Sequence, residues 1–255
     1  MYSKELFWGI DLYEIMMMLG LLSALFVFDK YLSKRKISAK VQNFYLILGV
    51  VSIIVGIYAA ELVQSFFNFL KKGYWEWEGM TFYGGVLGGA IAFLLGLFIV
   101  GKYLFKDKEH IKEFHNMLEV APCCITIAHA IGRIGCLCAG CCYGRETDAW
   151  YGVMINGVKR VPVQLYESLF LFALFAVLSV LYKKHININF IVYFIGYGTW
   201  RFIIEFFRAD DRGYFLGTKL SPAQTISLCL IAAGIIMIIF KIIKKKKAQP
   251  NKIIS

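Results

Sequence analysis

Two stretches of the chain, Met80–Val100 and Leu220–Phe240, each run for 21 residues without a charged side chain. A helix rises about 1.5 Å per residue, so either stretch is long enough to cross a hydrocarbon layer of about 30 Å. Water-soluble folds have no use for two such runs: a surface helix alternates an apolar stripe with a polar face, and a buried strand is far shorter. Composition points the same way. Apolar residues make up 59% and charged residues 18% of the 255, against about 45–50% and about 25% in a soluble domain. Mean hydropathy is +0.63.

Reading uncharged runs between lysine-rich breaks predicts an all-α, polytopic membrane protein with about seven transmembrane helices. The runs are Tyr13–Phe28, Phe44–Ala60, Met80–Val100, Phe114–Gly132, Val163–Tyr182, Ile186–Phe207 and Leu220–Phe240. The fourth has the shortest clean apolar part and contains His129. With only 4 prolines and no Ser/Gly-rich or Gln/Asn-rich tract, residues 1–255 read as a single integral membrane domain with a basic tail at 241–255. Met1–Asp11 lacks the basic start and small-residue cleavage site of a signal peptide, so the first run is expected to be a retained span.

Lys and Arg accumulate in cytoplasmic loops, which sets the orientation. The first connection (Asp29–Asn43) carries five basic residues, the third four, the fifth two and the tail six; nine face the other side. The N-terminus is therefore expected outside and the C-terminus in the cytoplasm. Because the basic residues flank apolar runs, the net charge of +11 calls for no nucleic-acid partner. Lys244–Lys247 reads as an anchor against anionic membrane lipid.

The informative residues are polar groups that lipid would penalise, since an arginine at a span centre costs roughly 2.5–3.5 kcal/mol on insertion scales. Arg133 follows His129 by one helical turn. Tyr197, Arg201, Glu205 and Arg208 share one face of the sixth run. Gln164, Tyr166 and Glu167 open the fifth. The topology brings all of them to one depth on the outer side. One reading is a pair of packing salt bridges, Arg201–Glu205 and Arg133–Glu167. The other is an anion site, because guanidinium forks match a phosphate and the phosphate at that depth is a phospholipid headgroup.

Four of the 7 cysteines, Cys136, Cys138, Cys141 and Cys142, crowd the loop after the fourth run. A metal site, a disulfide or small-residue packing, and a catalytic thiol all remain open readings. The pairs Gly84–Gly85 and Gly88–Gly89 fit a close helix-packing face.

Several ordered motifs resemble the prolipoprotein diacylglyceryl transferase family. They are Leu12-Tyr13, Phe82-Tyr83-Gly84-Gly85, Gly132-Arg133-Ile134-Gly135 followed by Gly140 and Tyr143-Gly144-Arg145, and Thr147-Asp148 with Trp150. Pro162-x-Gln164-Leu165-Tyr166-Glu167, Tyr197-Gly-x-x-Arg201-x-x-x-Glu205-x-x-Arg208 and Leu220-Ser221-x-x-Gln224 complete the series. The resemblance implies a seven-span helical body in the bacterial cell (inner) membrane, with its site toward the outer side. It implies transfer of a diacylglyceryl group from phosphatidylglycerol to the lipobox cysteine of a prolipoprotein, with a thioether formed and glycerol phosphate released. No metal or other cofactor is expected.

On this resemblance Arg133 and Arg201 bind phosphate and stabilise the leaving group, and Glu205 orients Arg201. Tyr13, Gly84, Gly85, Gly144, Gln164, Tyr166, Glu167, Tyr197 and Arg208 complete the substrate site. The chain departs from the family pattern at Tyr83 and Val161, where histidine is usual, and at Cys136 and Cys141, where asparagine and glutamate are usual. His129 and Tyr83 are accordingly the candidate bases. The departures also fit a related phospholipid-dependent transferase with a different acceptor. Two further alternatives are a non-catalytic phospholipid-binding or transport protein and a thiol–disulfide protein working through Cys138 and Cys141.

Overall fold

The computed structural model describes residues 11–209 and 220–247, without the side chains of residues 82, 83, 246 and 247. The helices are α1 (Leu12–Lys34), α2 (Ala39–Lys72), α3 (Phe82–Leu95), α4 (Gly101–Leu104), α5 (Glu109–Lys112), α6 (Phe114–Cys138), α7 (Val163–Lys183), α8 (Asn189–Glu205) and α9 (Pro222–Lys247). A π-helical turn, Gly96–Val100, joins α3 to α4. The strands β1 (Val153–Ile155) and β2 (Val158–Arg160) form one antiparallel hairpin. Among the described residues six helices are long and apolar enough to cross a membrane: α1, α2, the continuous Gly84–Leu104 stretch (α3, its π turn and α4), α6, α7 and α9; α8, at 17 residues, is shorter than these. Exposed side chains such as Leu22, Phe26, Ile54, Leu87, Ile91 and Phe240 present apolar surface outward, as expected of helices solvated by lipid.

The chain divides into two compact units. One comprises Phe28–Met117; the other runs up to Val27 and resumes at Leu118.

In the Phe28–Met117 unit α2 and α3 pack through the predicted glycine face. A Cβ at Gly88 would stand 2.3 Å from Ala59 Cβ, and one at Gly84 would stand 2.8 Å from Val63 Cβ. Gly56 similarly approaches the Gly85 carbonyl. Where no water drives association, this backbone proximity gains the dispersion contacts that hold helices together. His110 closes the far end of the helix pair, buried between Phe44 and Phe105 at ring distances of 5.9 and 5.1 Å. Gly85 and Gly89 also line an apolar cleft of about 600 Å³ between α2 and α3.

In the other unit α8 packs against α9 and α7, and α6 contributes hydrogen bonds to α7 and α8. Pro122 lies inside α6, and the Thr126 hydroxyl donates to the Pro122 carbonyl. The Ser168 hydroxyl ties α7 to the Ala130 carbonyl at 2.8 Å. Asn189, fully buried at the start of α8, donates its backbone N–H to the Glu119 carboxylate (3.0 Å) and its side-chain amide to the Glu119 carbonyl (2.9 Å). Trp200 stacks on Phe170 at 4.5 Å, joining α8 to α7. At the start of α9, Ser221 and Gln224 form a reciprocal cap: the Ser221 hydroxyl accepts from the Gln224 backbone N–H, and the Gln224 side-chain Oε1 accepts from the Ser221 N–H.

The hairpin departs from the all-α expectation. Its two-residue loop, Asn156-Gly157, takes φ of 51° and 80°, the turn whose twist matches antiparallel strands. The seven runs map onto α1, α2, α3 with its extension, α6, α7, α8 and α9, but the ends move. α2 continues past Ala60 to Lys72, and α6 passes Gly132 to Cys138.

Candidate active site

The polar residues of the second-described unit gather where α6 ends, α7 begins, α8 ends and α9 begins. Arg133 meets Glu167 through two edges, with Nε 2.9 Å from Oε2 and Nη2 3.1 Å from Oε1. Glu167 is 1% exposed and also receives the Tyr197 hydroxyl at 3.4 Å. His129 Nε2 lies 3.8 Å from the same Oε1, and its ring meets Tyr197 edge-on at 5.3 Å. One carboxylate from α7 thus gathers two residues of α6 and one of α8.

A second carboxylate organises the other half. Glu205 Oε2 stands 2.8 Å from Arg201 Nη2 and 3.9 Å from Arg208 Nε. Its Oε1 accepts from the Ser221 hydroxyl at 2.9 Å. The α9 cap therefore delivers a hydroxyl to the carboxylate that orients Arg201. Arg201 Nη1 is buried and has no hydrogen-bond partner among the described residues. Both salt-bridge pairings expected from the sequence are present. Among the described residues of the cluster the guanidinium groups of Arg133, Arg201 and Arg208 lie beside the carboxylates of Glu167 and Glu205.

The chain after α6 threads between two elements. Gly144 donates to the Val161 carbonyl and pairs with Arg208, while the Arg145 N–H donates to the Phe207 carbonyl at 2.9 Å. A Cβ at Gly144 would fall 2.6 Å from Val161 O and 2.8 Å from Phe207 O, so no larger residue fits this passage. Gln164, fully buried, donates to the Cys141 carbonyl. Tyr13, on the first turn of α1, lies against Gly135 of α6. Tyr166 instead packs with Trp200 on the apolar cluster of Val161, Val163 and Ile204. Tyr83, Gly84 and Gly85 stand on α3 in the other unit, and the Tyr83 side chain lies outside the described residues.

All seven cysteines are free. The Sγ atoms of Cys136, Cys141 and Cys142 lie within 4.8 Å of one another. The Cys142 thiol is held down to about 4 by a hydrogen bond from Cys136 and then by the Arg208 and Arg133 guanidinium groups, against the effect of burial. Burial pushes the neighbouring Cys141 thiol up. The sequence places Cys142 in the cysteine-rich loop and Ser221 in a motif, and ties neither to the arginine cluster. The pattern Ser221-Pro222-Ala223-Gln224, a capping sequence ahead of an apolar run, was the signal available for the latter.

Among the described residues six helices are long and apolar enough to cross a membrane, which marks a multi-pass membrane protein, and a buried arginine–carboxylate cluster lies at one end of one helical unit. Comparison with known proteins supplies the family. A model of the family described as prolipoprotein diacylglyceryl transferase matches residues 5–240. The chain is 32% identical over 242 residues to the phosphatidylglycerol--prolipoprotein diacylglyceryl transferase of Clostridium tetani (strain Massachusetts / E88), covering 88% of this chain and 90% of that protein. It is 35% identical over 185 residues to the enzyme of that name in Dehalococcoides mccartyi (strain ATCC BAA-2266 / KCTC 15142 / 195), covering 68% and 66%. For the one in Clostridioides difficile (strain 630) the identity is 29%, with 94% of each covered. The chain belongs to the prolipoprotein diacylglyceryl transferase family.

Proposed function

We propose that this chain moves the diacylglyceryl group of phosphatidylglycerol onto the lipobox cysteine thiol of a prolipoprotein. A carbon–sulfur bond forms at the glyceryl carbon, the carbon–oxygen bond breaks, and its electron pair leaves on glycerol phosphate. The observation that carries this reading is Arg201 Nη1, buried and without a hydrogen-bond partner among the described residues. A buried guanidinium edge left without a partner suits an anion, and the relatives' names supply one, phosphatidylglycerol.

In this reading Arg133 and Arg201 grip the phosphate, and their grip strengthens as negative charge grows on the leaving oxygen. Glu167 and Glu205 hold the forks in place beforehand, so little reorganisation is needed in the transition state. Arg208 adds charge beside Glu205. Tyr197 fixes Glu167, Gln164 and Gly144 shape the loop that closes the site, and Tyr13 lines its approach. His129, next to Glu167, is the proton acceptor for the incoming thiol.

The reading also has the chain as one membrane domain of seven spans in the bacterial inner membrane, α8 being the seventh. The N-terminus lies outside, the site faces outward, and the basic tail 241–255 meets anionic lipid in the cytoplasm. The bias of basic residues supports this orientation, and the family match over 5–240 supports one domain.

The test is transfer from labelled phosphatidylglycerol to a synthetic lipobox peptide by detergent-purified protein, with Arg133→Ala as control. Thioether product that disappears in the control is expected. Bound phosphatidylglycerol without product would reject the acceptor and leave only a lipid site.

A further inference from the structure

The grip on phosphate leaves one cluster unused: the three thiols at the end of α6. Cys136 lies in the last turn of that helix, and Cys141 and Cys142 lie just beyond it. The three sulfurs are mutually within 4.8 Å, free and part-buried. A disulfide would need only two of them. The backbone is bent to bring the third in, with Gly140 at φ 66° and Cys142 at φ 58°, the latter a conformation that L side chains adopt at a cost.

Thiolates around a tetrahedral zinc ion, at about 2.3 Å from the metal, stand about 3.8 Å apart. The cluster would close by about 1 Å or less to reach that spacing. Three thiolates and a divalent cation make a complex of net charge minus one. Arg208, which hydrogen-bonds Cys142, and Arg133 are placed to neutralise it. Three protein ligands leave a fourth tetrahedral position, the arrangement that lets a zinc ion take a reacting group rather than serve as a closed structural knot.

We propose that Cys136, Cys141 and Cys142 hold a soft divalent cation of the zinc class whose open position binds and ionises the acceptor thiol. The identity of that fourth ligand rests on the transferase reading above; the three-thiolate site itself does not. Coordination deprotonates a thiol outright. The thiol's proton passes to solvent water, which reaches these part-exposed sulfurs. The bound sulfur then attacks the glyceryl carbon. The carbon–oxygen electron pair leaves on the phosphate held by the arginines, and the neutral thioether, a poor ligand, departs. The metal keeps its oxidation state throughout. This departs from the metal-free reaction that the family resemblance implied.

The experiment uses full-length protein in detergent, freed of metal with chelator and dialysed against zinc, then against cobalt as a coloured substitute. The expected result is about one zinc per chain, falling to near zero in the Cys136→Ser/Cys141→Ser variant but not in Cys229→Ser. Retained binding of labelled phosphatidylglycerol shows that each variant is folded. The cobalt protein should show thiolate-to-metal charge-transfer absorption that grows on adding a lipobox peptide and not on adding the peptide with serine for cysteine. Absence of stoichiometric metal in the wild-type protein, or metal retained in the double variant, overturns the site. A cobalt signal indifferent to the peptide while transfer proceeds overturns the thiol-binding role. Failure of transfer with the cysteine-dependent signal intact would sink the transferase reading and leave the metal site standing.

Discussion

Glu167 engages Arg133 with both carboxylate oxygens, at 2.9 and 3.1 Å, while 1% exposed. Such a pair is held in place by the cost of breaking it rather than by the gain of making it, because each partner alone is a stranded charge. Glu167→Gln should therefore lower stability by about 3–5 kcal/mol and release both Arg133 and His129. Thermal unfolding in detergent reads the first effect. Loss of transfer at temperatures where the variant stays folded reads the second. A variant as stable as wild type would mean that Arg133 finds another partner.

Arg201 has two tasks that need two edges. Nη2 is held by Glu205 at 2.8 Å, and Nη1 is left for an anion. A lysine keeps the charge but is a single point without the fork. Arg201→Lys should lower kcat/KM by about 10²-fold, the scale of losing one transition-state donor, with little change in unfolding temperature. Activity within about twofold of wild type would remove the phosphate-fork role.

The Ser221 hydroxyl both caps α9 and donates to Glu205 at 2.9 Å. Ser221→Ala should cost about 1 kcal/mol of stability and about tenfold in kcat/KM, because Arg201 loses its fixed anchor. Threonine retains the hydroxyl, so Ser221→Thr should restore both. If threonine rescues stability alone, the hydroxyl acts on the helix and not on the site.

Much of this arrangement was legible in the chain, and the parts that were not have physical reasons. Uncharged length located the membrane helices, since a span must satisfy its backbone internally. Their ends drifted because Glu61 and Lys71 can continue a helix beyond lipid, as they do in α2. The pairings Arg133–Glu167 and Arg201–Glu205 followed from depth and helical spacing. That both carboxylates also collect third partners, Tyr197 and Ser221, depends on how α8 and α9 pack, which spacing does not encode. The β hairpin escaped a reading by apolar runs because strands of three residues carry no hydropathy signal. The Asn156-Gly157 turn was its only mark. Tyr166 sits one residue from Glu167 yet turns to an apolar cluster, since neighbours on a helix point about 100° apart.

Gly144 passes between the carbonyls of Val161 and Phe207, with only 2.6 and 2.8 Å for any added Cβ. Both obstacles are backbone, which cannot rotate away as a flexible side chain would. Gly144→Ala should destabilise the protein by about 1–3 kcal/mol and displace Arg208, whose backbone pairs with Gly144. The check is unfolding temperature together with binding of labelled phosphatidylglycerol, both expected to fall. An unaffected variant would mean that the loop moves aside at no cost.

The Cys142 thiol, held down to about 4 by the Cys136 hydrogen bond and the adjacent guanidinium charges, makes a prediction of definite sign. Its folded value lies below the unfolded one of about 8.5, so the thiolate stabilises the fold above about pH 8.5. That contribution is lost as pH falls through about 4. Reactivity follows the same window. In chelator-treated protein, iodoacetamide should modify Cys142 at nearly the same rate at about pH 8 and about pH 6. A free cysteine peptide should slow about a hundredfold over that interval. Arg208→Gln removes one of the charges that favour the thiolate, and the rate at about pH 6 should drop toward that of the peptide. Mass mapping of the alkylated residue makes the assignment. A Cys142 rate that tracks the peptide through the whole range would show that the guanidinium groups do not act on this sulfur.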